Sequence, residues 1–146
     1  MSNSIIQGLG YAHIAVASYD FEKSLAFYKA LGMTVYTEWG EGDKHIALLD
    51  MGNGNLLELF CKPTLNAEKS AGLEDGAQFM HFAFSADDVD AAYHTALAAG
   101  ATPLIAPKDA PLDSHPVPLT LRVAFVKGPC GEELEFFKAT ATVREA

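Results

Sequence analysis

Two stretches of this chain decide how it is read: His13-Ile14-Ala15-Val16-Ala17 and His81-Phe82-Ala83-Phe84-Ser85. Each is a short apolar run opened by a histidine, and they lie 68 positions apart. The same offset carries Asp20 onto Asp88, Gly32 onto Gly100 and Thr34 onto Thr102. A constant offset over such a span marks an internal repeat, and a repeat must be found before any fold is assigned.

The ends of the two halves match at a second offset. Gly54-Asn55-Leu56-Leu57-Glu58-Leu59-Phe60 aligns with Gly131-Glu132-Glu133-Leu134-Glu135-Phe136-Phe137, 77 positions on, and Ala47 falls on Ala124. The second half has therefore gained nine residues. Loops absorb insertions most readily, so the Pro-rich segment 103–118 is the expected place.

Each half reads as the same series of elements. In the first, a strand at Tyr11–Ala17 leads to a helix over Asp20–Leu31. Phe21, Leu25 and Tyr28 fall on one helical face, and Gly32 stops the helix. Strands follow at Thr34–Trp39, His45–Asp50 and Asn55–Cys61, with Gly52-Asn53-Gly54 as a hairpin turn. In the second, the strand Met80–Ser85 leads to a helix over Asp87–Ala99. Strands at Thr102–Ile105, Thr120–Val126 and Glu133–Lys138 follow, with Gly128-Pro129-Cys130-Gly131 as the matching turn. The chain is therefore βαβββ twice, with modules at residues 8–63 and 77–140. A polar linker runs over residues 62–77, and the tail beyond Thr140 carries little pattern.

Composition narrows the function classes. The chain has 146 residues, 49% of them hydrophobic, enough for a core without disulfide support. The formal net charge is −9, with no basic cluster to offset it. That argues against nucleic acid and against a polybasic membrane anchor. No apolar run is long enough to span a bilayer. Met1–Gly10 has neither a basic start nor a long apolar stretch, so no signal peptide is expected and the location expected is cytoplasmic. Cys61 and Cys130 have no motif spacing and are expected to be free thiols.

Strand alternation groups the polar residues. His13 shares a face with Ala15 and Ala17, and His81 shares one with Ala83 and Ser85. The bulky Ile14, Val16, Phe82 and Phe84 point the other way, toward the helices. Small side chains thus leave space beside each histidine. Glu58 sits between Leu57 and Leu59, and Glu135 between Leu134 and Phe136. A carboxylate in an apolar strand is costly to bury unless paired or bound to a cation. Alone, either histidine or either glutamate would more often be structural. Together they form two matching pairs, which a divalent metal explains better than inheritance through duplication. Two imidazoles and two carboxylates suit nickel, zinc or cobalt first, and manganese or iron(II) next.

Other residues carry weaker signals. His45, His94 and His115 have no counterpart in the other half. Cys61 and Cys130 lack a nearby base. Phe60 and Phe137 share faces with the glutamates as candidate pocket walls. Arg122, in an apolar strand, either faces solvent or neutralises an anionic group of the substrate.

At these residues the chain resembles the glyoxalase/bleomycin-resistance/dioxygenase, or vicinal oxygen chelate, superfamily. The pieces are Tyr11-Ala12-His13-Ile14-Ala15-Val16, then Ser24 to Tyr28 leading into Leu31-Gly32-Met33, then Leu56-Leu57-Glu58-Leu59. In the second half they are Met80-His81-Phe82-Ala83-Phe84 and Gly128-Pro129-Cys130-Gly131 before Leu134-Glu135-Phe136. The resemblance covers residues 8–140. It implies an α+β fold in which the two modules form one curved eight-stranded mixed sheet, with helices on its convex face. It implies a homodimer, in many members with the site shared between chains. It places the metal ligands at His13, Glu58, His81 and Glu135, and proton transfer beside a carbonyl on Glu135 and Glu58. The implied activity is a metal-dependent lyase or isomerase of a small oxygenated metabolite working through a stabilised enediolate. Glutathione-hemithioacetal conversion is its most specific version. Glutathione-dependent members carry an arginine four residues after the first histidine, and here that position is Ala17. The alternatives are a ligand-sequestering protein of the bleomycin-resistance type and a ring-cleaving dioxygenase.

Overall fold

The computed structural model describes residues 5, 11, 13–64, 81–112 and 119–141. The first module consists of β1 (His13–Ser18), α1 (Phe21–Ala30), β2 (Thr34–Trp39), a 3-10 turn (Gly42–Lys44), β3 (Ile46–Asp50) and β4 (Leu56–Cys61). The second consists of β5 (Phe82–Ser85), α2 (Val89–Ala98), β6 (Thr102–Leu112), β7 (Leu119–Lys127) and β8 (Glu133–Ala141). Most of the expected linker, the tail, His115 and the tip of the expected insertion lie outside the described residues.

The helix ends are written locally. Asp20 caps α1 by accepting from the Lys23 amide at 3.2 Å, and Asp88 caps α2 by accepting from the Ala91 amide at 2.9 Å. Gly32 and Gly100 follow the two helices at φ of 97° and 104°, which only glycine adopts without strain.

The eight strands are held in two ladders of four, ordered β1-β4-β3-β2 and β5-β8-β7-β6. In each, the first strand runs parallel to the last and the remaining pairs are antiparallel. This is a mixed sheet in each half of an α+β chain built from tandem modules. Both β1 and β5 are edge strands of their ladders.

The Pro-rich insertion behaves differently from a loop. Much of it extends β6 to Leu112, opposite a β7 that starts at Leu119. Proline cannot donate to a ladder, so it survives in strands at edges and bulges. The strand β6 is an edge, and its register shifts between Pro103 and Ile105 and again between Ile105 and Lys108. The added residues thus lengthen a hairpin arm.

The core lies on the helix side of both sheets. Leu57 and Leu59 of β4, Leu134 of β8 and Val126 of β7 are fully buried, together with Tyr28 of α1 and Ala96 of α2. They belong to one apolar cluster that spans both modules, and α1 touches α2. The opposite faces are open: Ala15, Ala17, Ala83 and Ser85 are all exposed. Among the described residues no helix is long and apolar enough to cross a membrane.

A buried polar cluster joins the modules where the β7–β8 turn meets α1. The Tyr28 hydroxyl donates to Glu132 Oε1 at 2.8 Å, and Glu132 Oε2 accepts from the Cys130 amide at 2.9 Å. Cys130 Sγ lies 3.2 Å from Ser18 Oγ and 3.4 Å from Ser24 Oγ, and the two serine hydroxyls are 2.7 Å apart. The Tyr19 hydroxyl donates to the Pro129 carbonyl at 3.0 Å. Burial pushes the Glu132 carboxyl up, and burial followed by Glu132 itself pushes the Tyr28 phenol well up. Cys130 is a free thiol, as is Cys61.

Candidate metal centre

The two His–Glu pairs are built in the same way. In the first ladder Ala15 lies opposite Glu58, and in the second Ala83 lies opposite Glu135. Each histidine stands two residues before that position, on the same face and one diagonal step from the carboxylate. The outcome is nearly identical in both halves. His13 Nε2 stands 2.8 Å from Glu58 Oε2, and His81 Nε2 stands 2.9 Å from Glu135 Oε2. The carboxylates are largely covered, at 15% and 11% side-chain exposure, while the imidazoles are 43% and 35% exposed. Each pair therefore holds its acid in the sheet and presents its ring at the open face.

The chain does not bring the two pairs together. Among the described residues, no three His, Cys, Asp or Glu side chains gather where one ion could bind them. The four expected ligands stand as two separate His–Glu pairs, one per module.

The donor chemistry of each half-site fits a divalent ion. Two donors with bonds of about 2.1 Å to one ion, at right angles, stand about 3 Å apart. The nitrogen–oxygen spacings in the two pairs are close to that. With nothing between them, the same atoms are at hydrogen-bonding distance.

Around the carboxylates the faces are apolar. Phe60 lies opposite Ile46 and Ala17, and Phe137 opposite Val123 and Ser85, so both share the face of their glutamate. Both are half-buried. Lys62 Nζ lies 6.0 Å from the centre of the Phe60 ring. Phe125 was missed by the sequence reading. It lies opposite Glu135, and its ring meets the His81 ring edge-on at 5.3 Å. The 77-residue offset could have found it, because that offset aligns Phe125 with Leu48, the residue opposite Glu58.

Arg122 lies elsewhere. It alternates with Val123 and Phe125 and so projects to the helix side of its sheet. Its Nε and Nη2 donate to the two carboxylate oxygens of Asp90 at 2.9 and 2.7 Å, and its Nη1 to Asp109 at 3.2 Å. These contacts hold the guanidinium ionised and push the Asp90 carboxyl down. The expected substrate contact is corrected accordingly: in this chain Arg122 ties α2 to β6 and β7, away from the His–Glu faces. His45 is likewise structural, with Nε2 3.1 Å from Glu38 Oε2 and its ring 4.3 Å from that of Phe21. His94 lies exposed on α2 beside Tyr93.

Comparison with known proteins places the chain in a family and a fold. The sequence model of the Glyoxalase/Bleomycin resistance protein/Dioxygenase superfamily matches residues 10–136. No curated protein matches the sequence. Among solved structures, a glyoxalase family protein from Enterococcus faecalis is 20% identical, with a TM-score of 0.65 over 88% of this chain and 97% of that one. A glyoxalase I mutant from Zea mays is 20% identical, with a TM-score of 0.59 over 86% of this chain and 43% of that one. A bleomycin-binding protein solved with bleomycin is 21% identical, with a TM-score of 0.54 over 89% and 98%. At these identities the likenesses establish the fold.

Proposed function

We propose that this chain, which belongs to the glyoxalase/bleomycin resistance protein/dioxygenase superfamily, is a metal-dependent lyase or isomerase that moves a proton beside a carbonyl. The observation that carries this reading is the matched pair of half-sites, His13 with Glu58 and His81 with Glu135. A sequestering protein needs only a cleft and has no use for two carboxylates held in apolar strands.

One chain supplies two donors at each of two places, so the complete centre requires a second copy. A two-fold dimer makes the demand self-consistent, because His13 and Glu58 of one protomer then meet His81 and Glu135 of its partner, twice. The placement supports this. The strands β1 and β5 are ladder edges, and the faces that carry the pairs are open to another chain.

When bound, the divalent ion supplies Lewis-acid stabilisation of negative charge developing on a substrate oxygen. The chain's own residues do the rest. His13 and His81 would hold the ion together with Glu58 and Glu135. Glu135, the more deeply covered acid, takes the proton from the carbon beside the carbonyl. Glu58 returns one to the neighbouring carbon from the other side. Phe60, Phe137 and Phe125 form apolar walls beside the acids.

The test combines metal content with isotope exchange. Purified protein is expected to hold one divalent ion per chain, in nickel, zinc or cobalt form. Loaded protein is expected to catalyse exchange of the proton beside the carbonyl of α-hydroxycarbonyl compounds in D2O, with methylglyoxal plus glutathione as the first pair to try for turnover. Protein that binds no divalent ion, or loaded protein that takes up oxygen with catechols instead, would overturn the reading.

A further inference from the structure

The repeat relates two contacts between the modules, and only one of them is filled. In the filled contact, Ser18, Ser24 and Tyr28 of the first module meet Cys130 and Glu132 of the second. The 68-residue offset carries Ser18, Ser24 and Tyr28 onto Ala86, Ala92 and Ala96. The 77-residue offset carries Asn53 and Asn55 onto Cys130 and Glu132. At the second contact, therefore, methyl groups stand where the first has two hydroxyls and a phenol, and an asparagine stands where the first has a glutamate.

A cleft of about 610 Å³ stands at this second contact. Ala86 and Ala92 line it, across from Met51, Asn53 and Asn55 of the β3–β4 turn. Ile14, Met33, Phe84 and Phe136 form its apolar walls. Ile14, Phe84 and Phe136 occupy the strand faces opposite those of the His–Glu pairs, while Ala83 and Ser85 reach the cleft from the His81 face of the edge strand β5. Tyr11, 69% exposed, and Ser85 add hydroxyls to the lining.

We propose that this cleft is a second small-molecule site, taking an uncharged and largely apolar ligand with one carboxamide or hydroxyl group. The volume is in the range of small-molecule sites. No described side chain in the lining is charged, so an ionic ligand would lose its water without gaining a partner. The asparagine side chains offer both a donor and an acceptor, which suits a single polar group of either kind. This site does not depend on the metal-centre reading, because none of the four His–Glu residues lines it.

N-phenyl-1-naphthylamine, an uncharged dye that brightens in apolar surroundings, tests the proposal on the full chain. The wild type is expected to bind one dye per chain and to shift the ε-methyl NMR signals of Met33 and Met51. Ala92→Leu fills the cleft and should weaken binding by about 10-fold or more while cooperative unfolding is retained. Phe60→Ala, in the first sheet and outside the lining, should leave the affinity unchanged. Should Ala92→Leu unfold the chain, the methyl shifts decide by themselves. Absence of dye binding overturns the proposal. So do unmoved Met33 and Met51 methyls, or binding that survives Ala92→Leu and is lost in Phe60→Ala.

Discussion

Tyr28 and Glu132 lie 104 positions apart in the chain, and their side chains meet at 2.8 Å in the buried junction between the modules. One carboxylate there accepts from a phenol of α1 and from the backbone of its own turn. The junction is thus held by a group whose charge burial disfavours.

That relationship has a pH signature. The Glu132 carboxyl is raised in the folded state, so in the window just above its unfolded value the folded chain binds more protons than the unfolded chain. Stability from this group is therefore greatest below about pH 4, near the ordinary glutamate value, and falls as pH rises through the folded value. Among the described residues, the Tyr28 hydroxyl and the Cys130 amide hydrogen-bond to the group, and Gly128 packs against it. Wild type and Glu132→Gln, melted side by side between acid and neutral pH, should show the wild type losing ground as pH rises. A difference independent of pH would refute the assignment.

Gly128 belongs to the same device. A methyl group there would run into the Glu132 side chain, so Gly128→Ala must push the carboxylate away from Tyr28. Tyr28→Phe removes the same bond from the other end, at a cost of about 1–3 kcal/mol for a buried acceptor left short of a donor. Denaturant titrations of the two single variants and the double variant should therefore be non-additive, with the double costing clearly less than the sum.

Subunit mixing tests the shared metal centre. One variant carries His13→Ala and Glu58→Gln, the other His81→Ala and Glu135→Gln. Neither homodimer should hold an ion tightly. Mixed dimers formed by refolding the two together should hold one, because the intact pair of each chain then meets the intact pair of the other. A centre built within one chain gives no rescue.

Arg122→Ala separates packing from chemistry. The guanidinium is committed to Asp90 and Asp109, so its loss should lower the melting temperature modestly, and less at high salt, where partly exposed ion pairs are screened. Metal content should stay at the wild-type level. Loss of metal without loss of stability would return Arg122 to the site.

Phe125→Leu removes the edge-on ring that meets His81 while keeping an apolar side chain. Groups that orient a metal-binding histidine influence affinity by about 10-fold at the low end. A competition titration against a chromogenic chelator should show a loss of that order or less, with unfolding little changed. An unchanged affinity would mean that the ring is packing only.

The repeat, the βαβββ order, the helix stops at Gly32 and Gly100 and the correspondence of His13 with His81 and of Glu58 with Glu135 were all legible in the residues. Each depends on local rules: strand alternation, capping, and a residue pattern copied at a constant offset. Three things were not legible, and each depends on contacts between distant residues. The prolines of β6 read as a loop because their tolerance in a strand depends on that strand being an edge, which only the sheet order reveals. Arg122 read as a possible anion site because its partner Asp90 is 32 positions away on a helix. The two His–Glu pairs read as one centre because the offsets relate the modules without saying how they face. The tertiary structure packed the modules through their helix sides, which joined Tyr28 to Glu132 and left the His–Glu faces open. Burying the larger apolar faces against each other was the stronger demand on a single chain, and it is met without bringing the four ligands together.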